Sequence, residues 1–203
     1  LEASPLEAAR FAARCGYSHI GLRPLAATPT EPHFPILTDC NLSDELARVL
    51  DGEGIGVLDV EIVRLVPQMD WPELECVLEF AARFSASRVL VADNDPDSSR
   101  SRASLAELAL RAARYGVTPH LEFMPWTCAP NLAAARQRIA GIANCRLLID
   151  AFHLARSGGS PGELTPGDPD IGYLQLCDIA GPIPAMDEIL REASSDRLFP
   201  GEG

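Results

Sequence analysis

Lysine is absent from this 203-residue chain, and all 17 basic residues are arginine. That excludes a reaction through a lysine Schiff base, and with it the imine-forming aldolases. No C-x-x-C pair occurs either. The six cysteines, Cys15, Cys40, Cys76, Cys128, Cys145 and Cys177, are scattered, which argues against a structural zinc site or a disulfide scaffold and suits a reducing compartment. No apolar run approaches the roughly 20 residues that span a bilayer. The opening LEASP lacks the basic-then-apolar order of a secretion signal, so the reading is a cytoplasmic protein with no membrane partner. Neither G-x-G-x-x-G nor a P-loop follows any apolar segment, which leaves dinucleotide and nucleoside-triphosphate binding without support. Basic clusters are missing too: the formal charge is −12, which disfavours nucleic acid as a partner. What these absences leave is a small polar substrate.

The residues present describe an α/β chain. A hydrophobic content of 47% can bury a core, and residues 1–203 read as one domain. Ser4-Pro5-Leu6-Glu7 opens a helix over 6–15, with a serine cap and proline in the first turn. Alternation then predicts strands over 17–23, 54–65, 87–92, 117–123, 145–150 and 171–177. Helices are predicted between them over 43–51, 71–84, 101–115, 131–143 and 153–157, with a proline-rich loop over 24–35. Strand and helix alternate throughout, the pattern of a parallel sheet.

Polar residues collect where these strands end: Arg23, Glu61, Asp93, Glu122, Asp150 and Asp178, with Gln175 just inside the last. An open doubly wound sheet gathers function at one switch point, whereas a (β/α)8 TIM barrel draws residues from many strand ends to one mouth. Acids at so many ends favour the barrel. Eight strands are needed and six are found, so the expectation is that a first strand and a last strand-helix unit are missing from this chain.

The segment 147–159, LLIDAFHLARSGG, runs from apolar strand to acid to histidine. Asp150 either caps the helix that follows or serves as a ligand, and its neighbours bear on the choice. Glu122 follows the preceding strand and Gln175 lies on the following one. Hard oxygen ligands on consecutive strands suit Mg²⁺ or Mn²⁺, with Zn²⁺ or Co²⁺ as alternatives, and make Asp150 the middle of a metal site.

Taken together, Leu121-Glu122, the run IDAFHLARSG over 149–158, Gln175-Leu176-Cys177-Asp178 and RLFPGEG over 197–203 resemble the xylose-isomerase-like TIM-barrel superfamily, the sugar phosphate isomerase/epimerase group. The resemblance implies a divalent metal held by Glu122, Asp150 and Gln175, with Gln175 standing where most members have histidine and a closing glutamate outside this chain. It implies that Glu122 and His153 are catalytic and that His153, Arg197 and Asp178 bind substrate. Glu61 and Asp178 are further candidates for orienting ligands, while Glu202 reads as an exposed turn residue and Cys177 as packing. The glutamine, together with the D-x-F-H and Q-L-x-D segments, is also similar to bacterial 3-dehydroshikimate dehydratases.

The expected function is a divalent-metal-dependent isomerase or epimerase. It would act on a sugar, sugar phosphate or related polyol acid by removing a proton next to a carbonyl, through an enediolate. The alternatives are a 3-dehydroshikimate-dehydratase-like lyase and a catalytically silent carbohydrate-binding barrel. A homo-oligomer is left open, and the histidine-poor, acidic chain does not suit the three-zinc DNA-repair enzymes of the same superfamily.

Overall fold

The computed structural model describes residues 3–26 and 33–203. Its strands are β1 (His19–Leu22), β2 (Gly56–Leu65), β3 (Arg88–Asp93), β4 (Thr118–Glu122), β5 (Arg146–Asp150) and β6 (Ile171–Gln175). The helices are α1 (Pro5–Arg14), α2 (Cys40–Glu53), α3 (Trp71–Arg83), α4 (Ser98–Ala113), α5 (Leu132–Ile139), α6 (Ala151–Arg156) and α7 (Met186–Ser195). The six strands form one sheet in chain order, β1 to β6, as successive βα units of a barrel do. Among the described residues no helix is long and apolar enough to cross a membrane.

The chain divides into two compact units. The first comprises the described residues within 1–63, 68–91 and 108–119. Here α1 begins with a capping box: the Glu7 N–H donates to Ser4 Oγ at 3.2 Å and the Ser4 N–H to Glu7 Oε2 at 2.8 Å. Strand β1 pairs parallel with β2, His19 opposite Gly56. It is shorter than the expected 17–23 because Tyr17 is exposed and alternation there reflects no buried face. Helix α2 starts earlier than expected, since Asp39 rather than a later residue accepts from the Asn41 and Leu42 N–H groups. It ends at Gly54, whose left-handed backbone (φ 67°) stops the helix where a strand was expected to begin. Asp70 caps α3, which buries Leu74, Val77, Leu78, Phe80 and Ala81. Of the proline-rich loop, residues 27–32 lie outside the described residues.

The second unit comprises residues 64–67, 92–107 and 120–203. Strands β4 and β5 pair parallel, as do β5 and β6. Leu121, Leu147, Leu148 and Ile149 are at most 2% exposed, and burying each side chain contributes about 2 kcal/mol. Asp93, Ser101 and Arg138 tie this unit's polar interior: Ser101 Oγ donates to Asp93 Oδ1 at 2.7 Å, and the Arg138 guanidinium lies 2.7 Å from Asp93 Oδ2. Helix α7 has no counterpart in the expected elements. Its apolar positions Met186, Ile189 and Leu190 lie at helical spacing, yet only Ile189 is buried. Beyond it the chain returns to make an antiparallel bridge between Asp178 and Leu198.

Candidate metal centre

Glu122 is the last residue of β4 and Asp150 the last of β5, so two apolar strands each deliver a carboxylate at the same sheet edge. Asp150 then caps α6. Its Oδ1 accepts the Phe152 N–H at 2.7 Å, so the helix starts immediately and His153 falls three residues after Asp150, on the same side. The alternatives of cap and ligand therefore do not compete. One oxygen caps, and Oδ2 remains for other partners.

Glu122, Asp150 and His153 are 4%, 1% and 3% exposed. His153 Nε2 lies 3.5 Å from Glu122 Oε1 and 3.8 Å from Asp150 Oδ2, and ligand atoms of all three lie within 4.8 Å of one another. A cation with bonds of about 2.1 Å bridges donors up to about 4.2 Å apart, which spans both histidine distances.

Burial holds the His153 imidazole down to about 4; the Asp150 carboxylate opposes this and the Arg197 charge reinforces it. The ring is thus neutral near pH 7, the form that ligates or shuttles a proton. Its Nδ1 is buried without a hydrogen-bond partner among the described residues. Arg197 closes the group: Nη1 donates to Asp150 Oδ2 at 2.6 Å, Nε to the Ala193 carbonyl at 2.8 Å, and the guanidinium sits 4.8 Å from the Phe152 ring centroid. Over these four side chains the formal charge is −1. Buried carboxylates in excess of cations are costly, so a divalent ion fits both the donors and the charge.

Gln175 ends β6 directly opposite Asp150 in the parallel register, which puts the two side chains on one face of the sheet. Strand β6 stops there rather than at 177. Asp178 stands outside the three-residue group. Its oxygens accept from the Ile179 N–H at 3.1 Å and the Gly201 N–H at 2.8 Å, and these backbone bonds hold its carboxyl below the usual range. It secures the 199–203 turn that follows Arg197. Burial pushes the Cys177 thiol up, as for a packing residue. In the first unit the Glu61 carboxylate pairs with Arg23 Nη2 at 2.7 Å. Glu202 is exposed and accepts the Phe199 N–H at 3.1 Å.

Trp126 was not among the expected residues, yet its ring stands edge-on to His153, with centroids 5.0 Å apart. The available signal was an aromatic in the proline-flanked loop straight after Glu122.

A family model described as "Xylose isomerase-like TIM barrel" matches residues 9–203. Among solved structures, a xylose isomerase-like TIM barrel/4-hydroxyphenylpyruvate dioxygenase fusion protein superposes with a TM-score of 0.79 at 19% identity, over 99% of this chain. This chain spans only 33% of that protein's length. The IOLI protein with a bound zinc atom gives 0.72 at 22% identity, covering 100% of this chain and 76% of that one. The probable 3-DHS dehydratase AsbF from Bacillus anthracis gives 0.71 at 14% identity, covering 98% and 87%. No curated protein matches.

Proposed function

The chain belongs to the xylose isomerase-like TIM barrel family, and from that premise we propose that it is a divalent-metal-dependent isomerase or epimerase of a sugar or sugar phosphate. The observation that carries the reading is the buried convergence of Glu122, Asp150 and His153. These three would hold the ion, with Gln175 beside Asp150 as a further oxygen donor. When bound, such an ion supplies Lewis-acid polarisation of a carbonyl and its neighbouring hydroxyl, and Mg²⁺, Mn²⁺ or Zn²⁺ all suit mixed oxygen and imidazole donors. The zinc named for the IOLI protein supports a metal here.

The residues of the chain do the remaining work. Glu122 takes the proton next to the carbonyl on a carboxylate oxygen. Returning it to the neighbouring carbon, while the hydroxyl proton passes to the former carbonyl oxygen, gives the isomer; an epimer needs a second acid that protonates the opposite face. His153, neutral because it is buried, would offer the Nε2 lone pair to the ion beside the two carboxylates. Arg197 is one-third exposed and presents its remaining N–H donors to substrate oxygens. Trp126 covers the His153 ring and limits water there.

A second reading is a dehydratase of the 3-dehydroshikimate type, in which the same proton removal is followed by loss of a β-hydroxyl as water. Gln175 opposite Asp150 favours it, as does the likeness to AsbF. A substrate panel tests both. Metal-supplemented protein is incubated with ketoses and ketose phosphates in D2O, and separately with 3-dehydroshikimate. Deuterium at the carbon next to the carbonyl supports the isomerase, and an absorbing catechol supports the lyase. If neither appears, the enzyme reading gives way to a carbohydrate-binding barrel.

A further inference from the structure

Arg156 ends α6, is 5% exposed, and directs all three guanidinium nitrogens at partners. Nε donates to Glu192 Oε2 at 2.7 Å and Nη2 to Glu192 Oε1 at 2.5 Å, a bidentate pair. Nη2 also donates to the Ala180 carbonyl at 2.9 Å, and Nη1 to those of Gly181 and Pro182 at 3.3 and 3.4 Å. One side chain thus binds α7 and the loop before it to the helix that Asp150 caps. Helix α7 buries only Ile189, so apolar packing alone does little to seat it. The residue after Glu192 is Ala193, whose carbonyl fixes Arg197 Nε, and Arg197 Nη1 in turn reaches Asp150 Oδ2. The circuit closes on Phe152. Its N–H donates to Asp150 Oδ1, and its buried ring lies 5.9 Å from the Arg156 guanidinium and 4.8 Å from that of Arg197.

We propose that Arg156 is a positioning residue: through Glu192 and α7 it sets Arg197 against Asp150, and thereby weakens and tunes the grip of the Glu122, Asp150 and His153 group on a divalent cation. The proposal rests on the metal reading given above. Its physical basis is that Arg197 and the cation share one acceptor, Asp150 Oδ2, and carry charge of the same sign. Asp150 keeps its orientation without Arg197, because Phe152 N–H and the helix start still hold Oδ1.

Mn²⁺ titration by calorimetry of the full chain, with unfolding monitored in parallel, tests this. Removing the guanidinium in Arg197→Met should tighten Mn²⁺ by about tenfold, a part-exposed charge being worth far less than a buried one. Arg156→Met should tighten it in the same direction by about threefold. In the Arg156→Met background, Arg197→Met should add less than it does alone, the signature of two residues acting through one contact. Glu192→Gln keeps the shape of the pair while removing its charge, and should repeat the Arg156→Met result if that variant does not fold. Wild-type affinity in folded Arg156→Met or Glu192→Gln protein, with the full Arg197→Met effect retained, would make the pair purely structural and overturn the proposal. So would wild-type affinity in Arg197→Met. If Glu122→Ala with Asp150→Ala binds Mn²⁺ as the wild type does, the metal reading itself falls, and this proposal falls with it.

Discussion

Replacing His153 with glutamine should flatten the acid limb of the stability curve of the metal-free protein. In the folded chain burial holds the imidazole at about 4, whereas an unfolded histidine titrates near 6.5. Below the unfolded value the denatured chain binds a proton that the native chain refuses. Stability from this group is therefore complete above about pH 6.5 and is lost as pH falls toward the folded value. Between pH 7.5 and pH 5.0 the two titrations differ by about 2 kcal/mol, and the full shift corresponds to about 3 kcal/mol. The side chain is 3% exposed, so solvent screening takes little from this figure. The assay is urea unfolding at pH 7.5 and 5.0, in chelator, of wild type and His153→Gln. Glutamine shifts both wild-type values by a constant packing cost, but only histidine adds a pH-dependent part. The other three histidines are common to both proteins. Equal loss of stability in the two proteins between these pH values would refute a buried neutral His153.

Three further outcomes follow from the packing. Arg138→Met strands Asp93, which is fully buried, and should cost about 3–5 kcal/mol by denaturant unfolding, whereas adding Asp93→Asn should recover part of the loss. A methyl group at Gly172 would overlap the His120 ring, so Gly172→Ala should destabilise by about 1–3 kcal/mol, and His120→Ser in the same chain should relieve it, as read by thermal melts. Asp70→Ala removes the cap that accepts the Glu73 N–H at 3.0 Å and should cost about 1 kcal/mol, with the loss read in the same way.

The strands were legible because apolar runs such as 147–149 end in an acid, and the same pattern put Glu122 and Asp150 at strand ends, where the structure has them. The nearness of His153 to Asp150 was legible by spacing, whereas its approach to Glu122, which makes it a candidate ligand, comes only from the fold. The division of the Asp150 oxygens between helix cap and site was not legible, since residue type records preference and not which oxygen faces which partner. Helix α7 carries Met186, Ile189, Leu190 and Ala193 at helical spacing, so its periodicity stands in the sequence; what was not legible is that only Ile189 of that stripe is buried, while Met186 and Leu190 stay exposed. Arg156 looks in the sequence like an ordinary basic residue at a helix end. Only the fold brings Glu192 and three carbonyls around it. The Asp178 motif was visible, but its use as a backbone clamp for the 199–203 turn depends on the chain doubling back at Leu198.

Equilibrium dialysis of wild type and of Glu122→Ala with Asp150→Ala against Mn²⁺ tests the central claim most directly. The account predicts one ion bound per wild-type chain and none at that site in the double variant, with both proteins folded. Equal Mn²⁺ binding by the two proteins would contradict it.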